Sequence, residues 1–306
     1  MKKSNWVYLV GLSFVAFFVS WIGTGFLDIA QSAPLIELEQ RPPKVWITAG
    51  EATDELLFTP PPREFLERAP QTANITVTYA GVWDPQAQTA FEYAVSIWET
   101  QITSSIEIKV IAEWANLGAG ILGGAGAANS DKNFPNAPIA NTRYPIALAN
   151  KLAGTDRYTA PDNCDTSVTI NGPDICASFN SAFSNWYFGT DGNPSGKYDF
   201  VSVVLHEIGH GLGFFGSMTT GSSCGGTGLG CWGYGFYTDP FVYDRFTENA
   251  AGTTLLSYPN NSTQLFAQLV SNGVYFDGPN ANTANGNTRV SLYAPATWQP
   301  GSSANV

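Results

Sequence analysis

Histidine is almost missing from this chain. Its 306 residues include two, His206 and His210. Any chemistry that needs imidazole must happen there. Charge is scarce too. Asp, Glu, Lys and Arg make up 13% of the residues, about half the usual share near 25%. Asn, Ser, Thr, Gly and Tyr must therefore cover much of the surface. The charge that remains is acidic, net −11, which argues against a nucleic-acid partner and against adhesion to anionic lipid. There are four Cys and no CxxC, so the common Cys-ligated metal sites are not supported. No GxGxxG stands between a strand and a helix, so the Gly/Ala-rich stretch 118–128 is not read as a nucleotide loop. No internal repeat is visible. Hydrophobic residues reach 44%, enough for a sizeable core and against wholesale disorder.

The amino terminus reads as an address. Lys2 and Lys3 precede an apolar run over 6–22, and Ala30-Gln31-Ser32 offers small residues for cleavage. This is a secretory signal pattern over 1–32. The alternative is an uncleaved membrane anchor, since the run nearly suffices to span a bilayer. No later segment is apolar enough to do so. Residues 33–70 are Pro- and Glu-rich and read as a linker or propeptide with little core-forming pattern. A secreted, extracellular chain with an even Cys count predicts two disulfides. Proximity favours Cys164–Cys176 and Cys224–Cys231 among the three possible pairings.

Regular structure is expected from Ile75. Ile75-Thr76-Val77-Thr78-Tyr79 alternates as a half-buried strand. Asp84-Pro85 reads as an N-cap and first helical residue, followed by Ala87, Ala90, Phe91, Ala94, Val95, Trp98 and Ile102 on one face of a helix. Ile106-Glu107-Ile108-Lys109-Val110 alternates again. Residues 174–181 are another strand candidate. Asp191-Gly192-Asn193-Pro194 reads as a solvated turn, because the spaced carboxylates of a calcium loop are missing. Asp199 is a plausible N-cap for a helix ending at Leu212, with Gly213 as terminator. Beyond Gly216 the chain turns Gly/Ser/Thr-rich over 217–235. A short helix is expected over 262–271 and a strand over 288–293.

The sharp chemical signal is His206-Glu207-Ile208-Gly209-His210. Residues four apart lie on one helix face, so two imidazoles there can grip one Zn²⁺. Glu207, offset around the helix, suits a general base acting on a zinc-activated water. Gly209, Gly211 and Gly213 each cost about 1 kcal/mol relative to Ala in a helix interior. Such a loss near two His suggests a functional reason.

The extended pattern His206-Glu207-x-x-His210-x-x-Gly213 resembles the metzincin class of metalloproteases. The run from His206 to Phe214 is similar to the leishmanolysin-type branch and related secreted bacterial peptidases. Weaker likeness runs through 174–181, Trp186-Tyr187-Phe188-Gly189, Tyr243-Asp244-Arg245-Phe246 and the closing stretch 298–303. The resemblance implies an α+β fold: a metzincin-like catalytic subdomain over 71–216, with a twisted mixed β-sheet and two long helices, the second carrying HExxH. An insertion and an incomplete C-terminal subdomain would follow over 217–306. It implies hydrolysis of a protein or peptide substrate, with His206 and His210 as zinc ligands and Glu207 as catalytic base. It implies substrate extended along an edge strand, for which Ile175–Asn180 is the candidate, an internal strand being the alternative. It also implies a third His soon after Pro300-Gly301-Ser302-Ser303 and a Met-turn. Gly216 stands where many metzincins carry that His, the chain ends at Val306, and its two Met are Met1 and Met218. The candidate substitutes for the third ligand are Asp239, Asp244 and Glu248. The rival functions are a catalytically inactive fragment or relative acting as a secreted binding or surface protein, and a zinc hydrolase of non-peptide substrates.

Overall fold

The computed structural model describes residues 40–49 and 72–298. The expectations for 1–32, for most of 33–70 and for the closing Pro300-Gly301-Ser302-Ser303 lie outside the described residues. The architecture is mixed α+β. Its main sheet has five strands: β1 (Val45–Thr48), β2 (Ile75–Gly81), β3 (Ile108–Ala115), β4 (Ile121–Ala127) and β5 (Ile175–Asn180), in the order β1-β4-β5-β3-β2. Strands β2, β3 and β5 run parallel, β4 is antiparallel to β5, and β1 is antiparallel to β4.

The helix α1 (Pro85–Gln101) links β2 to β3, as a parallel pair requires. Asp84 accepts a hydrogen bond from the Gln86 N–H at 2.7 Å, which caps the first turn. Its buried face is Ala87, Ala90, Phe91, Ala94 and Val95. These pack with Phe179 of β5 and with Phe200, Val204 and Ile208 in one core. Small residues on α1 leave room for rings. Phe91 meets Phe179 edge-on with centroids 5.5 Å apart, and Phe179 meets Phe200 at 5.4 Å. Trp98 donates from its indole N–H to the Leu205 carbonyl at 3.1 Å, which ties α1 to α3 (Phe200–Leu212); α2 (Ile146–Ala153) lies between them in sequence.

Two expectations fail here. Ile175–Asn180 is not an edge strand. It is the central strand of the sheet and every one of its residues is buried. Its polar side chains mislead because they are used internally. Asn180 donates to the Gly118 and Ile121 carbonyls at 2.7 and 2.6 Å, and Ser178 Oγ donates to Glu113 at 3.0 Å. Residues 33–70 are also not without core pattern, because β1 lies within them and extends the sheet. A four-residue strand between Pro-rich stretches gives too short an alternation to register.

Both disulfides form as proximity predicts, Cys164–Cys176 and Cys224–Cys231. They suit an extracellular or otherwise oxidising location. No helix among the described residues is long and apolar enough to cross a membrane. Cys164–Cys176 joins residues 12 apart and lies in a small core with Ala80, Ile111 and Ala128. Loop closure of that length contributes about 3 kcal/mol through the unfolded chain. Replacing both with Ala should lower urea-unfolding stability by about that amount. A loss no larger than that of an exposed-site control would refute it.

Asp174 anchors the entry to β5. Its carboxylate accepts from the Lys109 backbone N–H and from Asn150 Nδ2, both at 2.8 Å. Burial pushes this carboxyl up from 3.8 to about 7, against the pull of the Lys109 N–H. A raised folded pKa means that the native state binds more protons across that window. The Asp174 contribution is therefore full below about pH 4 and falls as pH rises towards about 7. Between about pH 4 and about pH 7.5 the wild type should lose on the order of a few kcal/mol more than Asp174→Asn. Parallel stability curves for the two would remove the assignment.

The C-terminal part holds a three-stranded antiparallel sheet, β6 (Thr247–Asn249), β7 (Val274–Phe276) and β8 (Val290–Leu292), with β7 in the middle. The short helix α4 (Thr263–Leu269), capped by Ser262, contributes Leu265 and Leu269 to its own small core with Leu255 and Val274. A final helix, α5 (Pro279–Ala284), buries nothing.

Candidate metal centre

The helix α3 is set at both ends by residues legible in the sequence. Asp199 accepts from the Ser202 N–H at its start, and Gly213, at φ 121°, ends it with its N–H on the Gly209 and His210 carbonyls. That φ is closed to most side chains, so Gly213 is a stop and not a functional anomaly. Gly211 has a packing reason. A Cβ there would lie 2.8 Å from Cγ1 of Ile175 on β5 and closer still to its Cγ2. The helix can approach the central strand only because Gly211 has no side chain. Gly209 has only Trp98 nearby, at an ordinary 3.5 Å. The functional reading of three glycines thus gives way to structural reasons for two.

His206 and His210 turn their rings towards each other. Their Nε2 atoms are 2.9 Å apart and their planes cross at 89°. The Nδ1 of His210 lies 2.6 Å from the Phe214 carbonyl. A carbonyl only accepts, so Nδ1 carries the proton and Nε2 offers its lone pair. Two imidazole nitrogens on one tetrahedral zinc stand about 3.3 Å apart, so the pair needs a shift of only a few tenths of an ångström to share an ion. Burial holds His206 below its ordinary value. Burial and then the neighbouring His206 push His210 down to about 4. Both rings are thereby kept in the neutral, ligating form.

Glu207 is fully buried, and neither carboxylate oxygen has a hydrogen-bond partner among the described residues. The backbone of Ala125, on β4, faces it and weakly favours the charged form, short of a hydrogen bond; burial dominates and holds the carboxyl well above its ordinary value. A buried acid with no partner is costly. A nearby cation would restore its charged form. The two imidazole nitrogens and the unpartnered carboxylate make a donor set that a divalent ion such as zinc would fit.

The three carboxylates considered as a third ligand are engaged elsewhere. Asp239 pairs with Lys132 at 2.5 Å. Asp244 is fully buried and accepts from the Ser217 N–H at 2.8 Å, the Phe241 N–H at 2.9 Å and the Ser217 hydroxyl. Glu248 pairs with Arg289. Among the described residues no group of three His, Cys, Asp or Glu is placed to hold one ion. Sequence distance gave no sign of the pairings with Lys132, Ser217 and Arg289, because each lies tens of residues away. Spacing also gave no sign of the Phe214 carbonyl behind His210, or of β1 beside β4.

Residues 167–277 match the SPBPB7E8-like family. That stretch contains β5, α3 and the region through β7. An uncharacterized protein of Schizosaccharomyces pombe, PB7E8.01, is 29% identical over 134 residues, covering 44% of this chain and 20% of that protein. The chain therefore spans about a fifth of that relative's length. No solved structure matches.

Proposed function

We propose that the chain is a secreted zinc-dependent endopeptidase with a site of metzincin type. The observation that carries this reading is the convergence of His206 Nε2 and His210 Nε2 beside the unpartnered, fully buried Glu207. His206 and His210 would hold the zinc. When bound, zinc polarises the scissile carbonyl and lowers the pKa of water to about 7. Every other step belongs to the chain. The Phe214 carbonyl fixes the tautomer and orientation of His210. Glu207 takes a proton from the attacking water at its carboxylate. The water oxygen adds to the carbonyl carbon, the C–N bond breaks, and Glu207 returns the proton to the leaving amine. The mixed five-stranded sheet over two long helices, the second bearing His206 and His210, supports the metzincin resemblance. Among the described residues no third ligand of that class stands with His206 and His210. A second reading, an inactive secreted binding protein, is favoured by the lack of a third ligating group among the described residues.

The test is zinc content after dialysis against metal-free buffer, measured on residues 33–306 and on the same chain extended by any downstream coding sequence. About one zinc per chain, with casein hydrolysis stopped by a chelator, supports the peptidase. Zinc retained by neither form overturns it in favour of the binding protein.

A further inference from the structure

We propose that the cavity at the end of α3 is a binding site for a single fatty acid, with the acyl chain inside and the carboxylate at Lys151. The inference goes beyond the peptidase reading and does not rest on it. The cavity has a volume of about 640 Å³, within the range of about 300–1,000 Å³ that small-molecule sites occupy. None of His206, Glu207 and His210 lines it.

It exists because three cores meet there and none covers it. Ile102 and Leu212 pack on the core of the main sheet, Leu148 and Val242 on the core around α2, and Phe276 on the core of the C-terminal sheet. All five are half-buried and all five line the cavity. Each core is closed on its own side and leaves part of its apolar surface facing the others. On the C-terminal side the rings of Tyr243, Phe276 and Phe246 stand in a row, with centroids 4.8 and 5.6 Å apart, and make one aromatic wall. Such a lining gains from an apolar occupant in proportion to the area covered.

The polarity of the lining changes in one direction. On α2, Lys151 comes four residues after Ala147 and three after Leu148, so the three share one helix face. Ala147 is 4% exposed, Leu148 is half-buried and Lys151 is exposed. Within one turn the face passes from apolar and closed to cationic and open. That is the polarity of an amphiphile seen from outside. Lys151 is the one charged residue of the lining; the other polar residues there, Gln101, Thr103, Ser104 and Asn280, are neutral. Among the described residues the Lys151 ammonium has no ion pair. In a chain of net charge −11, an opening with a cation and no Asp or Glu favours a negative head group. The same net charge opposes docking on an anionic bilayer. The occupant is therefore one amphiphile taken from solution, not a membrane surface.

The test is isothermal titration of the full chain, stripped of metal, with octanoate, decanoate and dodecanoate below their micelle concentrations. Decanol is the uncharged control for decanoate. Two variants locate the ligand. Leu148→Trp fills the cavity, and Lys151→Ala removes the cation at an exposed position. One saturable site per chain is expected, tightening about fourfold with each added methylene. Leu148→Trp should abolish it. Lys151→Ala should weaken decanoate by up to about fivefold and leave decanol unchanged. Circular dichroism checks that Leu148→Trp folds; where it does not, Lys151→Ala carries the test. No saturable binding of any of the acids by the wild type overturns the proposal. Binding left intact by a folded Leu148→Trp variant puts the ligand elsewhere and also overturns it. A decanoate affinity that Lys151→Ala does not change, or a loss that decanol shares, overturns the placement of the carboxylate at Lys151.

Discussion

Glu207→Gln should abolish hydrolysis, leave metal binding intact and make the metal-free chain more stable. The three effects have one cause. Glu207 is fully buried with no hydrogen-bond partner among the described residues. The proton-accepting role proposed for it needs a carboxylate, and Gln has none, so the rate should fall by at least about 100-fold to 10,000-fold. The His206 and His210 nitrogens do not involve this side chain, so zinc content should not change. A buried, unpaired acid destabilises the fold, and the neutral amide of similar shape removes most of that cost, about 1–3 kcal/mol. Functional residues commonly cost stability in this way. Denaturant melts of both proteins, with metal stripped and with metal restored, read the effect directly. Retained hydrolysis would sink the base role. A variant that is no more stable when metal-free would show that Glu207 is satisfied in solution by a partner not seen here.

Gly211→Ala should destabilise the chain by about 1–3 kcal/mol net, whereas Gly209→Ala should stabilise it by up to about 1 kcal/mol. Both residues lie in the same helix turn and both substitutions improve helix propensity equally. Only the neighbours differ. A Cβ at 211 overlaps the side chain of Ile175, which is itself fully buried in the central strand and has no room to retreat. A Cβ at 209 makes an ordinary contact with Trp98 at 3.5 Å. The comparison controls for propensity and isolates packing. Denaturation midpoints that shift the same way in both variants would refute the close approach of α3 to β5. The His pair supplies a second readout, since pushing α3 off the sheet should also weaken zinc retention in Gly211→Ala but not in Gly209→Ala.

Local signals were legible wherever a residue acts on its own neighbours. The caps Asp84 and Asp199, the stop at Gly213 and the spacing of His206 and His210 all operate within one turn of helix. Each was found where the sequence put it. The two disulfides fall in the same class, since short loops bring Cys164 to Cys176 and Cys224 to Cys231. The strand candidates were real, but their places in the sheet were not legible. Ile175–Asn180 mixes apolar residues with Ser178 and Asn180, and a half-exposed edge strand looks the same until the internal partners of those two are known.

By itself, then, the sequence determined the helix that carries His206, Glu207 and His210, its start and its end, and the chemistry those three residue types can perform together. These depend on backbone geometry that repeats every few residues. Tertiary structure alone decided the rest. It showed that Gly211 exists for Ile175 and that Asp239, Asp244 and Glu248 already have partners. It also showed that the edge of β4 is taken by a strand from the Pro-rich amino-terminal segment. Each of these is a contact between residues far apart in the chain. Its energy depends on which surfaces the folded chain brings together, and no local spacing encodes that.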